Sequence, residues 1–296
     1  MVTCLKTSVA KLNLENPVIV ASGVCGFGEE NVGVLNKCGA VVFKTVTFEP
    51  RSGNPTPRVV DFSYGMLNSI GLENPGVENL IEKMKYIKRV KTIKIASLLG
   101  YTDEEFVVIL KKLEEYKIFD AYELNLSCPN VEKGRWFYDK KILAIMLRNL
   151  REATKKPLIA KLTPEIDIEV WVKIVVDCGI DAVTLFNTYT GIAVDYEKRK
   201  FRLANKYGGY SGPGIKPLVQ RWVYDIGKNF NIDIIACGGV LFPRDVIEYL
   251  LLGAKAVQIG SGYFRNPQLP VECIKFLTNY LKKEKLTLDQ IVGALK

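Results

Sequence analysis

Eight short apolar runs recur along the chain: Val18–Ala21, Ala40–Phe43, Ile93–Leu98, Ala121–Leu126, Pro157–Leu162, Ala182–Phe186, Ile232–Ala236 and Ala256–Ile259. Each is rich in β-branched residues and gives way to Gly, Ser, Asn, Thr or Lys. Runs of this kind suit parallel strands covered on both faces. Between most of them lie amphipathic stretches of helical period, at Asp103–Tyr116, Lys140–Thr154, Ile168–Cys178, Pro217–Asn229 and Pro243–Leu252. Thr102 is placed to cap the first of these, and Pro217 and Pro243 read as first-turn prolines. Eight strand–helix units predict an α/β fold of the TIM (β/α)8 barrel type, whose usual size is about 250 residues. An open doubly wound sheet is the competitor, but its GxGxxG turn is absent. The surplus length falls in loop insertions at the C-terminal face. One is Thr47–Gly76, rich in Pro, Gly and Asn, with strand-like Arg58–Phe62 inside it. The other is Thr190–Gly214, with Lys198, Arg199, Lys200, Arg202 and Lys206. No linker or low-complexity tract divides the chain, so residues 1–296 are expected to form a single barrel domain.

Composition narrows the chemistry. The 296 residues include no histidine. That excludes a Ser-His-Asp triad, a Cys-His dyad, His-ligated zinc and an imidazole base. Acid–base work near neutral pH falls to Cys, Lys, Tyr or a carboxylate. The seven cysteines are odd in number and form no CxxC, against a disulfide framework or zinc ribbon. No signal peptide or membrane-spanning run is evident, and a reducing cytoplasm is expected. The net charge of +9 permits anionic ligands, but dispersed surface lysine explains it as well.

In a barrel the reactive groups stand where strands end, on the C-terminal face. Just past the apolar runs come Ser22, Lys44-Thr45, Ser97, Asn125 through Cys128, Lys161, Asn187-Thr188, Gly238-Gly239 and Gly260-Ser261. A lysine at the end of a buried run is costly without a partner. Two of them, Lys44 and Lys161, favour an anionic ligand or an electron-rich cofactor over snorkelling to solvent. Lys161 could also serve a Schiff-base aldolase. Cys128, between Ser127 and Pro129 and flanked by two asparagines, has the neighbours of a rim residue rather than of a core thiol. Gly238-Gly239 and Gly260-Ser261-Gly262 follow the seventh and eighth runs, where this fold binds phosphate through bare backbone N–H groups.

Asn125-Leu126-Ser127-Cys128-Pro129-Asn130, Lys44-Thr45, Met66-Leu67-Asn68-Ser69-Ile70-Gly71-Leu72, Lys161, Asn187-Thr188, Ser211-Gly212-Pro213 and Cys237-Gly238-Gly239 together resemble class 1 dihydroorotate dehydrogenase. The resemblance runs from about Pro17 to about Gly262, and its motifs stand in family order. The N-terminal membrane-associated extension of class 2 is not expected here. Gly26-Phe27-Gly28-Glu29-Glu30, Met66–Gly76 and Gly209–Pro213 look more like the B subclass than the fumarate-using homodimers of the A subclass.

The resemblance implies FMN-dependent oxidation of (S)-dihydroorotate to orotate in pyrimidine biosynthesis. It makes Cys128 the base that removes the C5 proton while hydride passes from C6 to flavin N5. Substrate would be held by Lys44, Asn68, Ser69, Ile70, Gly71, Leu72, Asn125, Asn187 and Thr188. FMN would be held by Ser22, Lys44, Thr45, Ser97, Asn125, Lys161, Phe186, Gly212, Gly238, Gly239, Gly260 and Ser261. Ser97 replaces the family's usual Asn with a shorter side chain. No metal is implied. A partner subunit carrying FAD and a [2Fe–2S] cluster would relay electrons to NAD, around a homodimer core of a heterotetramer. Neither nucleic acid nor membrane is expected as a partner.

Physical chemistry agrees with these roles. A carboxylate substrate suits a lysine and amide side chains. Lys161 can stabilise negative charge on a reduced ring. Val131–Phe137, with Gly134, could close over the substrate. A tRNA dihydrouridine synthase, also an FMN barrel, is the main alternative, but its extra helical RNA-binding domain is not expected alongside a barrel that takes up the length given. A non-catalytic phosphate-binding barrel explains the glycine loops and leaves Lys44, Asn125, Cys128, Lys161 and Asn187 without a purpose.

Overall fold

The computed structural model describes residues 4–126, 137 and 139–295. Eight parallel strands close into a barrel: β1 (Val18–Val20), β2 (Ala40–Val42), β3 (Ile93–Leu98), β4 (Ala121–Asn125), β5 (Leu158–Lys161), β6 (Ala182–Leu185), β7 (Asp233–Cys237) and β8 (Ala256–Ile259). Each pairs with the next in sequence, and β8 closes the ring on β1. All eight coincide with the predicted apolar runs. The seventh is shifted by one residue, so that Cys237 belongs to the strand.

The alternation of side chains along a strand divides these residues into two cores. One parity (Val18, Val41, Leu124, Leu158, Val183 and Ile234 among others) faces the surrounding helices. The other parity fills the barrel in layers drawn from alternate strands, as this fold requires. Ala40, Ala121, Ala182 and Ala256 come from the even strands, and Ile19, Ile95, Ile159 and Ile235 from the odd ones, all in one buried cluster. Next in register stand Val42, Glu123, Thr184 and Gln258, then Ala21, Ser97, Lys161 and Cys237, then Lys44, Asn125, Phe186 and Gly260. The interior thus turns from apolar to polar along the strands.

A hairpin of Thr7–Val9 and Leu12–Leu14 closes the N-terminal end of the barrel, burying Val9, Ala10, Leu12 and Leu14 against the alanine and isoleucine layers. The outer helices follow their sequence signals. Thr102 caps Asp103–Glu115 by accepting from the Glu105 amide, and that helix buries Phe106, Ile109, Leu110 and Leu113, a stripe of helical period. Pro217 stands in the first turn of Lys216–Asn229. Pro243 instead precedes its helix, Arg244–Leu251, as the capping residue.

The two insertions fold together. Val59–Phe62 and Gly65–Asn68 from the first pair with Tyr207–Ser211 and Tyr189–Ile192 from the second in one antiparallel four-stranded sheet. It contributes Val59, Met66, Asn68 and Ser211 to a cavity at the C-terminal end of the barrel. Among the described residues, no helix is long and apolar enough to cross a membrane.

Candidate active site

The cavity measures about 650 Å³ and is built from strand ends and insertions together. Of the residues singled out by sequence, Ser22, Lys44, Thr45, Asn68, Ile70, Gly71, Leu72, Ser97, Asn125, Lys161, Phe186, Asn187, Thr188, Gly238, Gly239, Gly260 and Ser261 line it. Two do not. Ser69 is fully buried, with its hydroxyl accepting from Asn54 Nδ2 at 3.0 Å and Asn205 Nδ2 at 3.2 Å. Gly212 lines an adjoining cavity of about 270 Å³, which shares Met66, Val240, Ser261 and Phe264 with the first. Cys128 and nearly all of the Val131–Phe137 segment lie outside the described residues.

A chain of side-chain hydrogen bonds crosses the cavity floor. Ser22 Oγ donates to the Phe43 carbonyl at 2.9 Å and lies 3.3 Å from Thr45 Oγ1. Thr45 Oγ1 is 2.8 Å from Ser97 Oγ and accepts from Asn125 Nδ2 at 3.3 Å. Asn125 Oδ1 in turn accepts from Asn187 Nδ2 at 3.3 Å, and Asn187 Oδ1 from the Thr188 amide at 2.9 Å. Each member fixes the rotamer of the next, so the amides and hydroxyls arrive pre-oriented.

A second network lies beneath this floor and meets the cavity through Lys161. Lys161 Nζ donates to Gln258 Oε1 at 3.0 Å and stands 3.5 Å from Glu123 Oε1. Glu123 Oε2 accepts from Gln258 Nε2 at 2.6 Å and from Thr184 Oγ1 at 3.1 Å. Burial opposes a charge on Lys161. Negative charge on its neighbours, Cys237 where that thiol is ionised and the Glu123 carboxylate, acts against that penalty and moves its pKa up. Burial raises the pKa of the Cys237 thiol against the pull of Lys161, which keeps it protonated near neutrality.

The glycine loops present a different surface. Gly238 and Gly239 have φ of 151° and 72°, a region that side chains avoid. A Cβ at Gly239 would come within 2.5 Å of Lys216 Cβ, whereas one at Gly260 would meet nothing within 4 Å. The amides of Gly238, Gly239, Gly260 and Ser261 give no hydrogen bond to any described residue. Four unengaged donors at the edge of one cavity fit an anionic oxygen cluster.

Over the opposite side, the loop carrying Ile70, Gly71 and Leu72 is pinned by Asn74. Its Oδ1 accepts from the Thr47 amide at 3.1 Å and the Gly76 amide at 2.8 Å, and its Nδ2 donates to the Leu72 carbonyl at 2.7 Å. Arg58 and Glu73, ion-paired at 2.6 Å, also line the cavity. Sequence reasoning overlooks this pair, and it overlooks Glu123 and Gln258. The inward parity they share with Asn125 and Gly260 is the signal that would have marked the latter two.

Comparison with known proteins decides the family. The dihydroorotate dehydrogenase family model matches residues 4–281. The chain belongs to the dihydroorotate dehydrogenase family. It is 38% identical over 299 residues to the dihydroorotate dehydrogenase B (NAD(+)) catalytic subunit of Geobacter sp. (strain M21), covering 99% of this chain and 98% of that one. It is 40% identical to the protein of the same name from Pelobacter propionicus over 299 residues, with 99% and 98% covered. The Carboxydothermus hydrogenoformans catalytic subunit is 41% identical over 288 residues, with 95% and 94% covered. Within the family the chain is of the B type.

Proposed function

We propose that this chain is the catalytic subunit of a B-type dihydroorotate dehydrogenase, a cytoplasmic single-domain barrel that oxidises dihydroorotate to orotate with FMN in pyrimidine biosynthesis. The observation that carries the reading is the composition of one cavity. Two lysines, a relay of amides and hydroxyls, and four unengaged backbone donors converge on it. These residues fit FMN. Gly238, Gly239, Gly260 and Ser261 would hold its phosphate, and Ser22, Thr45, Asn125 and Lys161 the polar edge of its ring. FMN, when bound, supplies the acceptor for the hydride leaving C6 of the substrate.

The chain's own residues supply binding, orientation and proton transfer. Lys44, half-buried on the rim, gives the substrate carboxylate a charged hydrogen bond. Asn68, Asn125, Asn187 and Thr188 meet the polar ring atoms of the substrate. Asn125 and Asn187 arrive already oriented by each other. Cys128, assigned from its motif, takes the C5 proton as thiolate. Lys161 holds a positive charge at the floor where negative charge develops. The relatives are named as catalytic subunits of an NAD-linked enzyme. A partner carrying FAD and a [2Fe–2S] cluster, assembled on a homodimer of this chain, completes the route to NAD.

The test is direct. Purified protein should be yellow, release FMN on denaturation and form orotate from dihydroorotate with an artificial electron acceptor. A colourless protein that cannot be reconstituted with FMN would overturn the flavoenzyme reading. Rapid turnover with fumarate, unaffected by any iron–sulfur partner, would overturn the assignment of a partner subunit.

A further inference from the structure

The layer below the cavity floor is chemically out of place. Val42, Glu123, Thr184 and Gln258 occupy a position where packing alone would be met by four aliphatic side chains, as the isoleucine layer beneath shows. A buried carboxylate is expensive unless paired and hydrogen-bonded. Here it is held by three groups and touches no solvent: Glu123, Thr184 and Gln258 are all fully buried. The hydrogen bonds from Gln258 and Thr184 both go to Oε2. Among the described residues Oε1 has no hydrogen-bond partner, and Lys161 Nζ stands 3.5 Å from it. The carboxylate is therefore fixed by one oxygen and turned with the other toward the lysine. Gln258 clamps both ends, accepting from Lys161 and donating to Glu123.

We infer that Glu123 is a positioning residue that keeps Lys161 an ammonium ion at the cavity floor, and so sets how tightly the site holds the reduced, negatively charged form of its cofactor relative to the oxidised form. The inference rests on the FMN reading for its redox half only. Glu123 does not reach the cavity and acts through Lys161, which does. The other groups facing Lys161 cannot replace it. Among the described residues, the other titratable group acting on Lys161 is Cys237, and burial keeps it a neutral thiol near pH 7, which lends the lysine no charge. Thr184 and Gln258 carry no charge. Remove the carboxylate charge, and burial alone governs Lys161, driving it toward the neutral amine.

Two measurements on Glu123→Gln, a variant of nearly the same shape, test this separately. The first uses the cofactor-free chain and denaturant unfolding between pH 6 and 9. A lysine whose folded pKa falls below its unfolded value makes stability rise with pH through that window, because the unfolded chain then binds more protons. The stability difference between variant and wild type should therefore shrink as pH rises. A loss independent of pH would mean that Glu123 is merely structural and would overturn the inference. Glu123→Asp, which keeps the charge, should show no such slope. If Glu123→Gln does not fold, Lys161→Met gives the reciprocal test: a buried Glu123 carboxyl without its cation is pushed up, the folded chain then binds more protons, and the loss of stability should grow as pH rises from the carboxylate range toward neutrality, so that a flat difference between about pH 4 and 9 would be equally fatal.

The second measurement is the midpoint potential of bound FMN. The variant should bind the reduced form at least tenfold less well relative to the oxidised form, a drop of about 30 mV for a two-electron couple. The pH dependence should also steepen from one proton per two electrons toward two. An unchanged potential and slope would overturn the redox half. If wild-type protein takes up no FMN, the functional reading fails, while the unfolding measurement still decides the role of Glu123.

Discussion

At the N-terminal end of the barrel, the inward parity presents four alanines and four isoleucines, sealed by the Thr7–Leu14 hairpin. At the C-terminal end, the same parity of the same strands presents Ser97, Lys161, Cys237, Lys44, Asn125, Phe186 and Gly260, open to a cavity of about 650 Å³. The two ends are separated by one layer, that of Glu123. Stability and chemistry thus share every strand and are divided by depth along it. The apolar end fixes strand register, and that register decides which side chains meet at the other end. A substitution should accordingly affect folding or reaction according to its layer, with little crossover.

The largest effect is expected at the reactive end. Cys128→Ser should slow flavin reduction by dihydroorotate by about 10²–10⁴-fold near pH 7, the usual contribution of a positioned base. A hydroxyl is far less acidic than a thiol, so the rate should recover in part as pH rises. Stopped-flow reduction across pH, alongside unfolding curves, is the check. Near-normal reduction would move the base to a rim lysine or carboxylate, since the chain has no histidine.

The mirror experiment sits at the apolar end. Ile159 is fully buried in the isoleucine layer. Ile159→Ala should lower unfolding free energy by about 2–5 kcal/mol through lost burial and the cavity left behind. Substrate affinity of the folded fraction should stay within a few-fold of wild type. A large loss of affinity at unchanged stability would break the division between the two ends.

Next in size is Lys44→Ala, which should weaken orotate binding by about 1.5–3 kcal/mol, the range for a hydrogen bond to a charged group. Titration of orotate into the oxidised protein measures it. Affinity within twofold of wild type would remove Lys44 from the substrate site.

How much of this was legible in the sequence follows the same division. The barrel strands were legible because each apolar run is short, bounded and repeated. Most of the rim was legible because polar residues follow those runs at once. The closing hairpin was not. Its two-residue turn is Ala10-Lys11, with φ of 50° and 62°, where Asn-Gly would have announced it. Tertiary contacts hold that turn instead: the Ala10 amide on Asp233 Oδ2 at 2.8 Å and Lys11 on Asp181 at 2.6 Å. The insertion sheet was equally hidden, because its pairing joins Asn68 to Gly209 across the chain and no local pattern encodes such a register. Reading the runs as uniformly apolar hides Glu123 and Gln258, which only the alternation within each strand reveals.

The smallest effect sharpens the comparison at its boundary. Ser97 lies one layer above Glu123 and is almost wholly buried, although it touches the cavity. Its role follows from counting protons. The single hydroxyl proton of Ser22 is donated to the Phe43 carbonyl, so Ser22 can only accept from Thr45. Thr45 already accepts from Asn125, and if its own proton goes to Ser22, the bond with Ser97 is donated by Ser97. Ser97→Ala then removes one neutral hydrogen bond and leaves Thr45 with a donor and an acceptor still satisfied. The cost should be about 0.5–1.5 kcal/mol of stability in the cofactor-free chain. FMN affinity should change by less than threefold. If the proton of Thr45 goes to Ser97 instead, the Ser97 hydroxyl is free to donate into the cavity. FMN affinity should then fall about tenfold or more, the worth of one good hydrogen bond, with stability of the cofactor-free chain nearly unchanged. Unfolding and FMN titration on the same variant distinguish the two arrangements, and with them whether Ser97 belongs to the supporting side of the barrel or to its binding side.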